Sequence, residues 1–457
     1  MKNVKRVVAV ILSCIMTLGF AGCKKNEEVN SGKTVVTMWS RITSDSSQVD
    51  KDAEQFMIEK LAEKFPDIEV KLIHKPMSTD YRQEYDKALM AKQAPDLFVE
   101  FSYTDIPTRI KNGTIADITD FVKNWKYKAE DKVITTFDQA ISSDGKWYAI
   151  PRSSYVQASV VNLKSIKDAG GDVNNLPKTW KEFADFGQKL TDISIPRICY
   201  QITGSVWQFT PWMWSAGGEM VKPNGDGTYK ITFNSEEGVD TAEFMNQMVW
   251  KYKMTQKNIM GDSSEISNNI KSGAALYAWA QLANVINKDT VERNGFTYND
   301  FTQELIPAKD SNHEGAALAG GEVITFSPHA DKKTLEAAFR VAEYLYYDEE
   351  YLEELWKNQD AAGLVDTMVP ARKDLYEKKL ATYSQLNNEN REALLKIQSY
   401  AKPEPFCGNW SELKGKLKEY LEKIYLKENI SRKEIKSLLD QCAEELYSTY
   451  PNSFQKK

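Results

Sequence analysis

The chain has 457 residues, of which 27% are charged and 42% hydrophobic, and its formal net charge is -6 at pH 7. A net acidic chain lacks the basic surface that a nucleic acid requires, so we expect no nucleic-acid partner. The length exceeds what one hydrophobic core usually supports, and two domains are therefore expected.

The first 22 residues have the pattern of an export signal. Basic residues at positions 2, 5 and 6 precede a mostly apolar run over residues 7–20, and small residues and Cys23 follow it. These are the three parts of a secretory signal peptide. The ending FAGC resembles a bacterial lipobox, in which the cysteine is lipidated and becomes the first mature residue, although Phe20 stands where leucine is usual.

We therefore predict a signal peptide over residues 1–22, and a lipid on Cys23 followed by a flexible tether as far as residue 33. Loss of the three positive charges in the signal changes the net charge from -6 to -9. The lipid is the expected membrane attachment, on the extracellular face of a bacterial cell membrane. Cys199, Cys407 and Cys442 remain, and this odd number without CxxC spacing predicts buried thiols.

From residue 33 the pattern alternates between strand and helix. KTVVTMW predicts a strand, and apolar residues then recur at helical spacing until Pro66 ends the helix. IEVKLI, a helix around Tyr85 and DLFV follow, and this succession predicts a parallel sheet with helices on its faces. Ligands of such sheets bind beyond the carboxyl ends of the strands, here residues 39–41 and 100–103.

Turn and capping signals mark the elements that follow. Asp144-Gly145 predicts a hairpin turn, and Thr179 with Glu182 forms a T-x-x-E capping box at the start of a helix. The stretch WQFTPWMWSAGG, residues 207–218, holds three tryptophans, a proline and a glycine pair. We predict that it is neither one continuous helix nor one strand, and that at least one ring is presented outside the core. The alternative, packing of the ring inside the domain, suits Trp207 better than Trp212 or Trp214.

A series of segments resembles the extracellular solute-binding proteins of ABC importers, the sugar-binding family 1. In the family's order they are VVTMWS, EKFPDIEV, DYRQEYDKALMAKQAPDLFVE, NGTIADITDFV, DGKWYAIP, LPKTWKEFADFGQKLT, AGGEMV, FNSEEGVDTAEFM, IKSGAALYAW, GGEVITFSPHADKKTLEAAFRVAEYLY and VPARKDL. The resemblance covers almost the whole mature chain. It implies an α/β fold of the periplasmic-binding-protein type, with two lobes that are each a mostly parallel sheet flanked by helices.

The resemblance also implies a hinge with three crossings, near residues 151, 317 and 370. Residues 34–150 plus 318–370 would then form the first lobe, and residues 151–317 plus 371–457 the second. Such a hinge limits the lobes to bending and twisting, and a ligand buried between them shifts the population toward the closed form.

Aromatic and polar side chains at predicted loop positions form the candidate ligand site. Sugars suit such a set, because a pyranose face stacks on aromatic rings while its hydroxyls need polar partners. Each candidate has core or hinge packing as its alternative role. The candidate ligand-binding residues are Trp39, Arg41, Glu100, Phe101, Tyr103, Asp105, Arg152, Tyr155, Trp212, Trp214, Trp279, Gln281, Gly320, Gly321, Glu322 and Trp410.

Residue patterns for covalent or metal chemistry are absent from the sequence. His74, His313 and His329 lie far apart, and the motifs GxGxxG, GxxxxGK[ST], GxSxG and HExxH do not occur. We therefore expect no cofactor, no metal site and no catalytic residues.

The leading hypothesis is a lipid-anchored, monomeric solute-binding protein that captures a carbohydrate, in particular an oligosaccharide, and delivers it to ABC permease subunits. A surface-anchored glycoside hydrolase is the rival, since Glu100 and Glu322 would supply two carboxylates if they faced each other about 5 to 10 Å apart. A binding protein for a non-sugar solute, or a sensory protein, also stays open.

Overall fold

The computed structural model describes residues 32–457 except 77–79, 193, 196, 258, 260–262 and 287–292. The predicted signal peptide, Cys23 and the tether before residue 32 lie outside the described residues. Within the described part, no helix combines the length and the apolar character needed to cross a membrane.

The described residues include fourteen strands and eighteen α-helices. The strands are β1 (Thr34–Ser40), β2 (Ile68–His74), β3 (Leu97–Glu100), β4 (Ser142–Ser143), β5 (Lys146–Trp147), β6 (Ala149–Asn162), β7 (Ile198–Tyr200), β8 (Val221–Pro223), β9 (Tyr229–Ile231), β10 (Ala275–Ala280), β11 (Phe301–Glu304), β12 (Ala317–Phe326), β13 (Val369–Pro370) and β14 (Ala401–Pro403). The helices of the first two thirds are α1 (Gln48–Lys64), α2 (Tyr81–Met90), α3 (Ile106–Lys111), α4 (Thr119–Val122), α5 (Lys126–Ala129), α6 (Asp138–Ile141), α7 (Leu163–Asp168), α8 (Trp180–Leu190), α9 (Val206–Trp214), α10 (Glu236–Trp250), α11 (Ser263–Ser272) and α12 (Leu282–Val285). The remaining helices are α13 (Lys332–Tyr347), α14 (Glu349–Ala361), α15 (Tyr376–Thr382), α16 (Asn388–Tyr400), α17 (Trp410–Leu426) and α18 (Arg432–Thr449).

The predicted β-α-β-α-β unit forms the first part of the sheet. β1 pairs in parallel with both β2 and β3, and α1 and α2 connect these strands. Helix α1 begins where the Ser47 side chain accepts a hydrogen bond from the Asp50 amide, and it ends before Pro66. Val36 and Met38 of β1 are buried in the first core, as the apolar run predicts.

Two long antiparallel strands, β6 and β12, join the halves of the molecule. The first part of β6 pairs with β12, while residues 158–162 of β6 pair with β10 and β11. The principal path of the sheet is β2-β1-β3-β12-β6-β10-β7, flanked by helices. The predicted two-lobe α/β fold is therefore confirmed.

The third connection differs from the prediction. After β13, α15 packs on the first lobe: Tyr376 donates to the Thr367 carbonyl at 3.1 Å, and Lys379 pairs with Asp366 at 2.7 Å. The chain returns to the second lobe only at β14, which pairs in parallel with residues 317–319 of β12. The structure therefore does not follow the predicted boundary at 370/371, because the Pro370 segment is a short strand paired with Ser153 and not a crossing.

Residues 207–214 of the tryptophan-rich stretch belong to one helix, α9, whereas residues 215–218 lie beyond its end, so the stretch as a whole is not one continuous helix, as predicted. Pro211 lies inside the helix and supplies no amide hydrogen. Packing on the second core offsets this loss, since the Trp212 ring lies 5.7 Å from the rings of both Tyr200 and Phe244. Tertiary contacts thus allow the helix to continue through Pro211, where the proline alone would favour a break.

The second core also accounts for the cysteines. It is formed mainly between α8, α9, α10, α17 and α18, and Cys199, Cys407 and Cys442 are free thiols buried in it. Burial raises the pKa of both the Cys407 and the Cys442 thiol to about 12. The three cysteines are therefore unreactive packing residues, as predicted.

Candidate functional site

A cavity of about 640 Å³ lies between the two lobes, and we call it the inter-lobe cavity. Its volume falls within the range of sites for small-molecule ligands. The hinge strand β6 forms its floor, and both lobes and the C-terminal helices form its walls. The lining residues are Arg82, Phe101, Ser102, Tyr155, Gln157, Thr203, Gly204, Ser205, Val206, Trp207, Ile259, Ile266, Trp279, Glu404, Lys414, Gly415, Lys418 and Glu422.

Three aromatic rings form a connected surface on one side of the inter-lobe cavity. Tyr155 and Trp207 meet edge to face with 6.1 Å between ring centroids, and Trp207 and Trp279 meet edge to face at 6.4 Å. Tyr155 comes from the hinge, Trp207 from the first turn of α9, and Trp279 from β10. This geometry leaves ring faces at different angles, which suits a ligand with more than one apolar face.

Four polar atoms in the cavity walls are buried without a hydrogen-bond partner among the described residues. They are two indole N–H donors, on Trp207 and Trp279, and two oxygen acceptors, Gln157 Oε1 and Glu422 Oε1. The Lys418 Nζ atom lies 3.6 Å from Glu422 Oε1, beyond hydrogen-bond distance. Buried polar atoms are normally satisfied, so this set of lining residues suits a ligand that both donates and accepts hydrogen bonds.

Ion pairs hold the rim of the inter-lobe cavity. The Arg82 Nε atom lies 2.8 Å from Asp105 Oδ2, and the Lys414 Nζ atom lies 2.8 Å from Glu404 Oε1. Burial raises the pKa of the Asp105 carboxyl above its ordinary value, while Arg82 acts in the opposite direction. The two pairs neutralise most of the rim charge, so the cavity does not select strongly for an ionic ligand.

A second cavity of about 460 Å³ extends into the first lobe between α1 and α14, and we call it the first-lobe cavity. Trp39, Arg41, Phe101 and Arg152 line it, and Phe101 also lines the inter-lobe cavity. The Arg41 guanidinium carbon lies 4.4 Å from the centre of the Phe101 ring. The two predicted loops after β1 and β3 thus meet at Phe101, at the junction of the cavities.

Six of the predicted residues line at least one of the two cavities: Trp39, Arg41, Phe101, Arg152, Tyr155 and Trp279. Two further predicted residues, Gly320 and Gly321, do not line a cavity but pack against aromatic rings next to it. A Cβ atom on Gly320 would lie 1.9 Å from the Tyr155 ring, and one on Gly321 would lie 1.9 Å from the Phe137 ring. Both glycines are therefore needed for close packing of aromatic rings at the hinge.

The structure places three predicted tryptophans in the second core. Trp212 is fully buried, and Trp214 is buried with its indole N–H donating to Glu219 at 3.1 Å. Trp410 is buried at the start of α17. None of the three lines either cavity, and within the tryptophan stretch it is the half-buried Trp207 that does.

Four of the five remaining predicted residues, which also lie outside the linings of the two cavities, have structural partners or a position at a helix start. Tyr103 is buried and donates to the Glu404 carbonyl at 2.7 Å, which ties the first lobe to the third connection. Asp105 pairs with Arg82, as described above. Gln281 is half-buried at the start of α12. Glu322 is held by Arg152 and Ser153 on the facing hinge strand.

Glu100 is buried at the end of β3, and its carboxylate accepts from Arg109 Nε at 2.6 Å. Burial raises the pKa of this carboxyl to about 7, against the opposing effect of Arg109. Glu100 and Glu322 are thus each bound by an arginine, and Glu100 lines neither cavity. This arrangement does not provide the two free carboxylates that a glycoside hydrolase needs across a sugar site.

A comparison with known protein families identifies the family of this chain. A family model described as bacterial extracellular solute-binding protein matches residues 43–351, more than half of the chain. The chain belongs to this family. Membership places it among solute-binding proteins and not among enzymes.

Solved structures similar to this solute-binding protein share its fold. An ABC transporter solute-binding protein from Thermotoga lettingae, bound to α-D-tagatose, matches with a TM-score of 0.73 and 19% identity, covering 91% of this chain and 99% of that one. An ABC substrate-binding protein from Listeria monocytogenes in complex with cycloalternan matches with a TM-score of 0.72 and 20% identity, covering 93% of this chain and 100% of that one. Maltose-bound MalE3 from T. maritima matches with a TM-score of 0.69 and 19% identity, covering 90% of this chain and 100% of that one.

Several cavity residues of this solute-binding protein were not predicted from the sequence. They are Arg82, Gln157, Trp207 and the flank of α17 that carries Lys414, Gly415, Lys418 and Glu422. The sequence does contain a signal for α17, because Leu413, Leu417 and Leu421 mark its buried face. It contains no signal that another flank of this helix faces a cavity. Among the described residues, no group of three or more His, Cys, Asp or Glu is placed to hold a metal ion.

Proposed function

We propose that this protein captures a carbohydrate, in particular an oligosaccharide, in the inter-lobe cavity and delivers it unchanged to an ABC permease. The observation that carries the proposal is the set of unpaired buried groups beside the aromatic surface. A sugar hydroxyl both donates and accepts, so one ligand satisfies the Trp207 and Trp279 indoles together with the Gln157 and Glu422 oxygens. The apolar faces of the sugar rings stack on the aromatic side chains.

The similar structures support the same ligand class. The ligands bound in them are tagatose, cycloalternan and maltose, all carbohydrates. Two strands that pair across the hinge, β6 and β12, with a register shift between Glu322 and Val323, suit bending between the lobes. Closing around the ligand would bury it, and the closed form would then be presented to the permease.

Attachment and location are part of the proposal. The lipobox-like FAGC sequence supports a lipid on Cys23, which would hold a monomer on the extracellular face of the bacterial membrane. A Cys23→Ser variant is expected to move from the membrane fraction to the medium. A variant that stays with the membrane would overturn the lipid anchor and leave the ligand site unaffected.

The ligand class is tested by thermal unfolding with a panel of compounds. Maltose, maltotriose, cycloalternan and tagatose form one arm, and a polyamine, a phosphate ester and a tripeptide form the other. A ligand at one hundred times its Kd raises the free energy of unfolding by about 2.7 kcal/mol, enough to raise Tm measurably. Stabilisation by a carbohydrate supports the proposal, whereas stabilisation only by the other arm contradicts it. Release of a cleaved sugar would contradict a binding-only role.

A further inference from the structure

Three glycines lie inside the described helices, and two of them have a packing reason. A Cβ atom on Gly187 of α8 would lie 2.4 Å from the Met254 side chain. A Cβ atom on Gly238 of α10 would lie 1.9 Å from the Phe233 carbonyl oxygen. For Gly415 of α17, no atom lies within 4 Å of the Cβ position. The protein itself therefore leaves room for a side chain at Gly415.

Backbone conformation does not explain Gly415 either. It is not among the glycines with positive φ, so its backbone is one that alanine adopts without strain. A glycine in a helix interior lowers helix stability relative to alanine, because it has more freedom to lose on folding. A residue that weakens the helix and relieves no clash within the chain points to a contact with something outside it.

The position of Gly415 indicates where that contact lies. Gly415 lines the inter-lobe cavity together with Lys414, Lys418 and Glu422 of the same helix. Leu413 and Leu417 are buried on the other side of α17, which fixes how the helix is rotated. The backbone of α17 is thus exposed at one point of the cavity wall, next to the ammonium groups of Lys414 and Lys418 and to Glu422, whose Oε1 atom has no hydrogen bond.

We propose that Gly415 is a specificity-determining position, at which the bound ligand lies directly against the helix backbone. This inference rests on the proposed function for its ligand class, a hydroxyl-bearing ring. Close approach of the ring to α17 brings its hydroxyls within reach of Glu422 and the neighbouring lysines. The same contact excludes ligands with a bulky branch at that ring, because the branch would meet the backbone.

The test measures stability and affinity separately in Gly415→Ala and Gly415→Leu. The probe is the compound of the thermal-unfolding panel that stabilises the wild type most, sugar or not. Without the probe, Gly415→Ala is expected to have a higher Tm than the wild type. Affinity for the probe, measured by calorimetry, is expected to fall at least fivefold in Gly415→Ala and at least fiftyfold in Gly415→Leu.

The control is Glu419→Leu, which adds an apolar side chain to an exposed position of α17 outside the cavity lining and is expected to keep wild-type affinity. Wild-type affinity in both Gly415 variants would overturn the inference, and so would a lower Tm in Gly415→Ala. Loss of binding of a non-sugar probe in Gly415→Leu would uphold the role of Gly415 and overturn the carbohydrate assignment. The two proposals therefore fail independently.

Discussion

The ring of Tyr155 lies directly on Gly320, the residue that it faces across the antiparallel hinge strands β6 and β12. The glycine gives the ring a flat surface, and the ring in turn meets Trp207 edge to face at 6.1 Å. The aromatic surface of the inter-lobe cavity therefore begins on the hinge itself. Any change that lifts Tyr155 from β12 alters both the hinge and the ligand site.

Gly320→Ala is expected to destabilise the protein by about 1 to 3 kcal/mol, because the added methyl group would overlap the Tyr155 ring. In a Tyr155→Ala background the same substitution should cost less than about 1 kcal/mol, since the overlapping ring is gone. Urea unfolding of the four proteins of this double-mutant cycle measures the difference. Equal costs of Gly320→Ala in the two backgrounds would show that the contact is unimportant.

Trp207→Ala should weaken carbohydrate binding at least tenfold, or about 1.4 kcal/mol, because the half-buried Trp207 side chain lines the cavity. Its unfolding free energy should change much less than that of Trp212→Ala. The latter removes a fully buried ring and should cost about 3 to 5 kcal/mol. Calorimetric titration and urea unfolding measure the two effects. A Trp207→Ala protein with wild-type affinity would remove Trp207 from the ligand site.

The raised pKa of Glu100 predicts that the stability of the protein depends on pH. Its pKa rises from an ordinary value of 4.5 to about 7 in the folded protein, mainly through burial. The folded state therefore holds an extra proton between these values, and this contribution to the unfolding free energy is complete below pH 4.5 and lost as pH rises through 7.

In Glu100→Gln this contribution disappears, so the decline of Tm between pH 5 and 7 should be steeper in the wild type, by scanning calorimetry. Glu63→Gln, which changes an exposed carboxylate on α1, serves as control. Parallel profiles of the wild type and Glu100→Gln would mean that Glu100 is already ionised in this range.

The ion pair of the buried Lys379 with the half-buried Asp366 on the first lobe gives a prediction about the free energy of unfolding. Asp366→Asn should cost about 3 to 5 kcal/mol, because it leaves the buried ammonium group without a counter-charge. Lys379→Met should cost less, since it replaces the cation with an apolar side chain of similar length. Urea unfolding measures both. A larger cost for Lys379→Met would show that the ion pair itself stabilises the attachment of α15.

Local sequence signals predicted the local structure well. The apolar runs of β1, β2 and β3, the capping box of Thr179 with Glu182 and the turn at Asp144-Gly145 all occur as expected. Each of these depends on neighbouring residues, and Asp144 and Gly145 both have the positive φ that a tight hairpin requires. The α/β class followed from the order of such elements, whereas the two lobes followed from the resemblance to the family.

The site could be predicted only in part, because distant contacts determine which side chains reach it. In α9 nearly every residue is apolar, so the pattern does not distinguish Trp207 at the cavity from Trp212 in the core. Gln157 and Glu422 line the same cavity only through the hinge and the third connection, which the family resemblance placed near residue 370. The loops after β1 and β3 were identifiable, since their position at strand ends follows from the parallel sheet.

The most direct test of the account is a crystal structure of the protein with the carbohydrate that stabilises it most. We expect an intact sugar in the inter-lobe cavity, with a ring on Trp207 or Trp279, a hydroxyl on Gln157 or Glu422, and van der Waals contact with the backbone at Gly415. A sugar bound outside this cavity, or a hydrolysed product within it, would contradict the central claim.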